Sequence, residues 1–136
     1  MRQIFSYKKI GESFLPIIRV RLQSTLVNRW ISFYAYVDSG ASFSIFTDKV
    51  ATRLGLNLYD GQLAYVLVGS GARIPIYLHR LLIGIGREEL SATIGFSEEL
   101  GVGFNLLGRK DVFDQLEFCF RDGEKRLLVI SEEVES

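Results

Sequence analysis

The sequence predicts a single, mostly β domain, and three observations support this prediction. The first is size, since 136 residues, 48% of them hydrophobic, can form one domain with its own core. The second is the alternation of apolar and polar residues in several short runs, which is typical of half-buried strands. The third is that only two short stretches have a helical pattern. Together they indicate a β-barrel or a β-sandwich.

The first predicted elements are a hairpin and a helix. Residues 18–22 alternate between apolar and polar side chains, and residues 30–37 form an apolar run rich in aromatic residues. A turn at 28–29 between them predicts that these two strands pair. A helix of about two turns is predicted at 47–55, where Thr47 can cap the first turn.

The middle of the chain predicts a longer hairpin. Residues 63–68 and 74–85 have strand character, and Gly-Ser-Gly at 69–71 supplies the turn. Pro75 has no N–H to donate, which restricts its position to an edge or an unpaired stretch. We therefore expect this hairpin to project from the body of the domain.

The last third of the chain predicts shorter elements. Strands are expected at 91–96 and 104–107, followed by a short helix at 110–115. A final hairpin joins strands at 117–120 and 126–130.

Charge and cysteine content argue against several classes of function. A formal net charge of zero provides no footprint for a phosphate backbone, and every apolar run is far shorter than the ~20 residues of a membrane span. We expect neither a nucleic acid nor a membrane partner. The single Cys119 cannot form an internal disulfide, and no Cys/His set exists for a metal, so we expect no cofactor, no metal and a reducing, cytoplasmic location.

The most informative segment is 36–46, in which an apolar strand ends on Asp38 and continues into Ser39 and Gly40. A carboxylate at the end of a buried strand is unusual, because Asp is rarely buried without partners. Glycine at the third position lets the backbone turn closely beneath the carboxylate. Asp-Ser-Gly is also ordinary surface-turn chemistry, so the tripeptide alone leaves both roles open.

The context of this tripeptide resembles the retropepsin-like aspartic proteases, the single-domain relatives of retroviral protease. That family has Asp-Thr/Ser-Gly-Ala at the end of an apolar strand, as at 38–41 here. It has two apolar residues followed by Gly-Arg near the C-terminus, as at 106–109, and a glycine-containing flap between the two motifs, as at 66–78. The resemblance covers residues 15–130 and implies a closed barrel with a flap hairpin and one or two short helices.

The resemblance also implies roles for individual residues. Asp38 is the catalytic carboxylate, completed by Ser39 and Gly40, and Ser39 hydrogen-bonds across the two-fold axis of a dimer. Substrate contacts are expected from Ala41, Ser42, Val68, Gly69, Ser70, Gly71 and Ala72, and structural support is expected from Leu107, Gly108 and Arg109. Retroviral enzymes usually have Asp where this chain has Ser42, so Arg109 needs another partner.

A single chain offers one such carboxylate, whereas aspartic protease catalysis needs two that share a proton. None of the other Asp residues is followed by Ser-Gly. These residues are Asp48, Asp60, Asp111, Asp114 and Asp122. A symmetric homodimer would bring two Asp38 side chains together. We therefore expect an aspartic endopeptidase that cleaves extended, apolar-flanked peptide or protein segments. A retropepsin-like module that binds peptides or dimerises without cutting is the alternative, and an unrelated small β-barrel is a third possibility.

Within this interpretation the chain divides into an N-terminal extension at 1–14, the retropepsin-like domain at 15–131 and a loose tail at 132–136. Two competing patterns are weak. Residues 103–110 have the glycine spacing of a P-loop but carry Arg109 where Lys is needed. Ser70 lacks the flanking residues of a nucleophile elbow, and His79 and Cys119 are expected to be structural.

Overall fold

The computed structural model describes residues 1–24, 26, 28–100 and 103–132. The first half contains β1 (Arg2–Ser6), β2 (Lys8–Ile10), β3 (Ser13–Leu15), β4 (Ile17–Ser24), β5 (Arg29–Val37), β6 (Ser44–Thr47), α1 (Asp48–Arg53) and a 3-10 turn at Leu58–Asp60. The second half contains β7 (Gln62–Leu67), β8 (Arg73–Ile85), β9 (Glu88–Ser97), β10 (Asn105–Leu107), β11 (Glu117–Arg121) and β12 (Arg126–Ile130). The predicted mostly β fold is confirmed.

The main sheet closes on itself. Its strand order is β4-β5-β10-β6-β9-β8-β7, and β4 also pairs with β8. Six strands therefore form a ring, and β7 is attached to β8 outside it. The long strand β8 pairs with β7 from Arg73 to Leu78 and with β4 from Leu82 to Gly84. The barrel interior is apolar, with alternate residues of the ring strands almost fully buried, such as Val20, Leu22, Ala35, Ile83 and Ile94.

The two long hairpins lie where the sequence predicts them. In the first, β4 and β5 are antiparallel from Ile17↔Tyr36 to Ser24↔Arg29, and Asn28 takes a φ of 48° that asparagine tolerates in turns. In the second, β7 and β8 are antiparallel up to Leu67↔Arg73. Gly71 at its tip has a φ of 86°, which favours glycine.

The second hairpin extends beyond the neighbouring strand. Pairing of β8 with β9 begins at Tyr77, so Pro75 has a ladder partner only on the β7 side. The buried hydroxyl of Ser97, at the end of β9, donates to the carbonyl of Pro75 at 3.1 Å and accepts from the N–H of Glu99 at 3.0 Å. This side chain fastens the base of the hairpin where the sheet ends.

The helix predictions are half correct. The helix expected at 47–55 is α1, which Thr47 precedes without a side-chain capping bond. The helix expected at 110–115 is wrong, because this segment forms a series of turns. Asp111 interrupts any helix there with a φ of 63°. Its carboxylate accepts from the backbone N–H of Thr93 at 2.9 Å and from Arg80 at 2.7 Å, so contacts distant in sequence outweigh local helix preference.

The chain ends meet in a second sheet of order β1-β12-β11. β1 is antiparallel to β12 from Arg2↔Ile130 to Ser6↔Arg126, so part of the predicted N-terminal extension pairs with the C-terminal strands. β2 and β3 form a separate small hairpin. The predicted loose tail falls mostly on residues 133–136, which lie outside the described residues. In the part of the chain that the structure describes, no helix is long and apolar enough to cross a membrane.

Candidate active site

The two sequence motifs meet at the ends of two parallel strands. β10 pairs in parallel with β5, with Leu107 beside the buried Val37. Asp38 follows β5 directly, and its backbone N–H donates to the carbonyl of Leu107 at 2.9 Å. Asp38 and Gly108, which are 70 positions apart in sequence, therefore leave the sheet side by side.

The Asp38 side chain shapes the turn that follows it. Its Oδ1 accepts from the backbone N–H of Gly40 at 2.9 Å, and its carbonyl accepts from the N–H of Ala41 at 3.2 Å. The carboxylate is half-buried, while Ser39 and Gly40 are exposed. Within the described residues Oδ2 has no hydrogen-bond partner, which leaves it available to a water or a second carboxylate.

The segment after Gly108 is bonded to the segment after Asp38. The N–H groups of Arg109 and Lys110 donate to the carbonyls of Ala41 and Ser42, both at 2.9 Å. A Cβ at position 108 would overlap the carbonyl oxygen of Phe43, so only glycine permits this approach. We call residues 38–44 and 107–110 the Asp38 clamp.

Sequence reasoning missed Ser44 as a member of this clamp. Its side chain is fully buried, and its Oγ accepts from the N–H of Gly108 at 2.9 Å. A serine within the apolar run Phe43 to Phe46 was the available signal, because a buried hydroxyl needs a partner.

The flap residues predicted to contact substrate lie at the tip of the β7–β8 hairpin. Residues 68–72 are joined by hydrogen bonds from Val68 N–H to the carbonyl of Ala72 and from Gly71 N–H to the carbonyl of Val68, both at 2.9 Å. Gly69, Ser70, Gly71 and Ala72 are exposed. Gly69 and Gly71 have open space where a Cβ would project.

The inner face of this hairpin forms an apolar wall with the clamp. Ile45, Ile74 and Ile76 are buried together, and the half-buried Phe43 and Val68 pack against them. Of the predicted substrate contacts, Val68 is thus brought to the wall, and Ala41 and Ser42 lie in the clamp. The wall residues themselves were not singled out from the sequence, because their neighbours come from three separate segments.

Arg109 is exposed, and its guanidinium forms no ion pair or hydrogen bond with any described residue. The neighbouring carboxylate of Asp111 is instead paired with Arg80 at 2.7 Å. Burial opposes ionisation of Asp111, but the hydrogen bonds from Thr93 and the charge of Arg80 prevail and lower its pKa.

Two grooves open beside the clamp. One, of about 410 Å³, reaches Asp38 and Ser39 and is lined by Phe14, Phe120 and Tyr7 among others. The Tyr7 hydroxyl donates to Asp122 at 2.6 Å, and burial together with that carboxylate raises the tyrosine pKa. The other groove, of about 510 Å³, runs along Ser39, Gly40, Ser42 and Phe43 to Arg109, Lys110, Asp111 and Asp114.

The competing patterns find structural explanations. Residues 105–107 of the P-loop-like spacing form β10 and not a phosphate-binding loop. His79 is half-buried, with Nε2 3.0 Å from the carbonyl of Leu58 and its ring edge-on to Phe96. Cys119 is a half-buried residue of β11. Among the described residues, no three His, Cys, Asp or Glu side chains are grouped to hold a metal ion.

Comparison with known proteins identifies the fold. No protein-family model matches the sequence, and no curated protein matches at a significant level. A retropepsin-like aspartic protease from Rickettsia conorii is similar in structure, with a TM-score of 0.65, 20% identity and coverage of 94% of this chain and 98% of that one. EIAV protease in complex with the inhibitor HBY-793 has a TM-score of 0.55 at 16% identity, over 79% of this chain and 92% of that one.

These similarities show that the chain has a retropepsin-like fold. The resemblance inferred from the two sequence motifs and the intervening hairpin is therefore confirmed at the level of the fold.

Proposed function

We propose that the protein is a homodimeric aspartic endopeptidase in which each subunit contributes one Asp38 to a catalytic dyad. The observation that carries this proposal is the clamp. It holds one half-buried carboxylate, with a free Oδ2, at the mouth of the barrel in a retropepsin-like fold. Because one chain supplies one such carboxylate, a two-fold axis beside Ser39 completes the pair.

The chemistry needs no cofactor. The ionised Asp38 takes a proton from a water, whose oxygen attacks the peptide carbonyl carbon, while the protonated Asp38 donates its proton to the carbonyl oxygen. Two like charges this close cannot both ionise cheaply, so the pair retains one proton. The C–N bond of the tetrahedral intermediate then breaks as the Asp38 that took the water's proton gives it to the amine nitrogen, while the other, now ionised Asp38 takes a proton from a hydroxyl of the intermediate, so that the dyad again holds one proton.

Other clamp and hairpin residues would position the substrate. The carbonyl of Gly40 and the N–H of Ser42, on either side of Ala41, are the backbone groups of this segment that remain uncommitted among the described residues, and they can bond to an extended peptide as a strand does. Ser39 would hydrogen-bond across the axis, and residues Val68 to Ala72 would close over the peptide as a flap. The turn that follows Asp38 would be supported by Leu107, Gly108 and the main chain of Arg109. Phe43 and Val68, the half-buried members of the apolar wall, would favour apolar side chains next to the cleaved bond.

A protease assay with the Asp38→Asn variant tests this proposal. Casein and a peptide library are incubated at acidic and neutral pH with and without pepstatin. Wild type should cleave apolar-flanked peptides with a bell-shaped pH dependence, and pepstatin should inhibit it. Asp38→Asn should cleave nothing, because an amide cannot take the water's proton, yet it should stay folded because its amide oxygen can still accept from Gly40.

Dimer mass is measured in parallel by size-exclusion chromatography with light scattering. Specific activity should fall as the protein is diluted below its dimer dissociation constant. Wild type that binds library peptides but cleaves none would favour the alternative of a peptide-binding or dimerisation module. Activity that persists at concentrations where only monomer is present would contradict the shared dyad.

A further inference from the structure

Arg109 is a cation beside the candidate active site without a partner in the described part of the chain. Its main-chain N–H is committed to Ala41, but its guanidinium is exposed. The neighbouring Lys110 donates its main-chain N–H to Ser42, whose side chain offers a hydroxyl and not a carboxylate. The five N–H donors of the guanidinium are therefore open to a ligand.

The position of Arg109 relative to Asp38 is set by the clamp. Main-chain hydrogen bonds place Arg109 beside Ala41 and Lys110 beside Ser42. Ala41 and Ser42 follow Asp38 by three and four residues. Both cations line the groove of about 510 Å³ that begins at Ser39 and Gly40. Because this groove runs from Ser39 and Gly40 to Arg109 and Lys110, a peptide that follows it away from Asp38 would present a flanking side chain to these two cations.

The charges around the groove leave Arg109 unbalanced. Asp111 also lines the groove, but it already pairs with Arg80 and accepts from Thr93. Asp114 is an exposed carboxylate on the same rim. Since Asp111 is neutralised by Arg80, Arg109 and Lys110 are balanced by Asp114 alone, and the rim retains one positive charge that a carboxylate would complement.

We propose that Arg109, with Lys110 beside it, forms a subsite that selects an acidic side chain of the bound peptide a few residues from the scissile bond. The inference rests on the proposed function in one respect, that a peptide occupies the groove next to Asp38. A carboxylate matches the planar guanidinium through two parallel hydrogen bonds. Apolar residues next to the cleaved bond and one acidic residue further out would together define the substrate.

Binding to the Asp38→Asn protein tests this subsite without requiring cleavage. Fluorescent peptides with an apolar centre carry a single Glu, Gln or Lys moved through the flanking positions, and their dissociation constants are measured by anisotropy. At one position Glu should bind about fivefold more tightly than Gln, since the pair is partly exposed, and this ratio should decrease with added salt. Lys should bind more weakly than Gln there.

Two variants in the same background assign the effect. Arg109→Gln should bring the Glu/Gln ratio close to one, and Arg109→Lys should retain part of it, because an ammonium keeps the charge without the planar fork. Arg29→Gln, which removes an exposed arginine at the opposite end of β5 from Asp38, is the matched control and should leave the ratio unchanged.

Several outcomes would overturn the subsite. They are a Glu/Gln ratio near one at every position, a ratio that survives Arg109→Gln, and no peptide binding at all. A higher dimer dissociation constant in Arg109→Gln without a change in the ratio would assign the guanidinium to the partner subunit instead. If Arg109 selects Glu in the binding assay but the wild-type protein cleaves no peptide, the subsite stands and the protease proposal fails.

Discussion

The Asp38 clamp and the tip of the β7–β8 hairpin both contact the apolar wall, through Phe43 and Val68, but are held in different ways. Residues of the clamp are bonded to a second segment 70 positions away through Asp38, Gly108, Arg109 and Lys110. In the described chain, residues 68–72 bond only to one another. Reacting groups need fixed geometry, whereas a cover over a peptide has to open. The comparison teaches that hydrogen bonds between distant segments fix the position of Asp38, whereas the hairpin tip relies on bonds within itself.

Removing the close approach at Gly108 should have the largest effect. Gly108→Ala places a methyl group against the carbonyls of Phe43 and Ala41, which forces the two halves of the clamp apart. We expect a destabilisation of about 1–3 kcal/mol and a loss of more than about 100-fold in kcat/KM. Thermal unfolding and peptide hydrolysis measure both quantities.

Gly103→Ala is the control for Gly108→Ala, because its Cβ meets nothing within 4 Å. It should behave like wild type in both measurements. If Gly108→Ala retained wild-type activity, the clamp would not be what positions Asp38.

Substitution at the hairpin tip should affect turnover more than stability. Gly71→Val forces a β-branched residue into a positive φ, so the tip should adopt another conformation without unfolding the barrel. We expect turnover to fall by about tenfold, with a small change in thermal midpoint. Gly69→Val, at an exposed position without this strain, should lower turnover less.

Gly11→Val provides a matched control for Gly71→Val. Gly11 also has a positive φ, 61°, and open space around it, but it lies in the β2–β3 turn. Its replacement should produce similar local strain without loss of turnover. Unchanged turnover in both tip variants would remove the flap assignment.

A smaller effect concerns the pH dependence of stability at Asp111, in the turns that follow the clamp. The pKa of Asp111 is lowered from 3.8, so the carboxylate stabilises the folded state above that pH, and this contribution disappears as the pH falls through the folded-state pKa. Asp111→Asn should therefore unfold at a lower temperature than wild type at pH 7, and the difference should shrink below pH 3.8.

Asp114→Asn, which alters an exposed carboxylate on the same loop, should follow wild type at every pH. If the difference in unfolding temperature between Asp111→Asn and wild type stays constant as the pH falls, the charge at position 111 does not stabilise this loop.

How far the sequence predicts the structure depends on whether the partners are local. The β4–β5 and β7–β8 hairpins and the Asp38 turn follow from alternation and turn residues a few positions apart, and all of them are present. The turns at 110–115 were missed because Asp111 is held by Thr93 and Arg80 of the barrel.

The pairing of β1 with β12 and the bond between Ser44 and Gly108 were missed for the same reason. Each joins segments whose meeting depends on the completed barrel. In the candidate site, the motif at 38–41 could be recognised in sequence, but the apolar wall around Ile45 could not. Its members become neighbours only after the hairpin folds back over β6.

The hydrogen bond from Ser97 to Pro75 fixes the base of the β7–β8 hairpin, and the part of the hairpin beyond it can act as a lever. Beyond this point β8 pairs only with β7, and Ser70 at the tip lies five positions before Pro75. At about 3.3 Å per residue the lever is roughly 17 Å long, so a rotation of about 10° at its base moves the tip by about 3 Å. That displacement is close to the N···O distance of one backbone hydrogen bond, about 2.9 Å. If the tip closes over a peptide as proposed, the buried hydroxyl of Ser97 lies at the pivot of that motion.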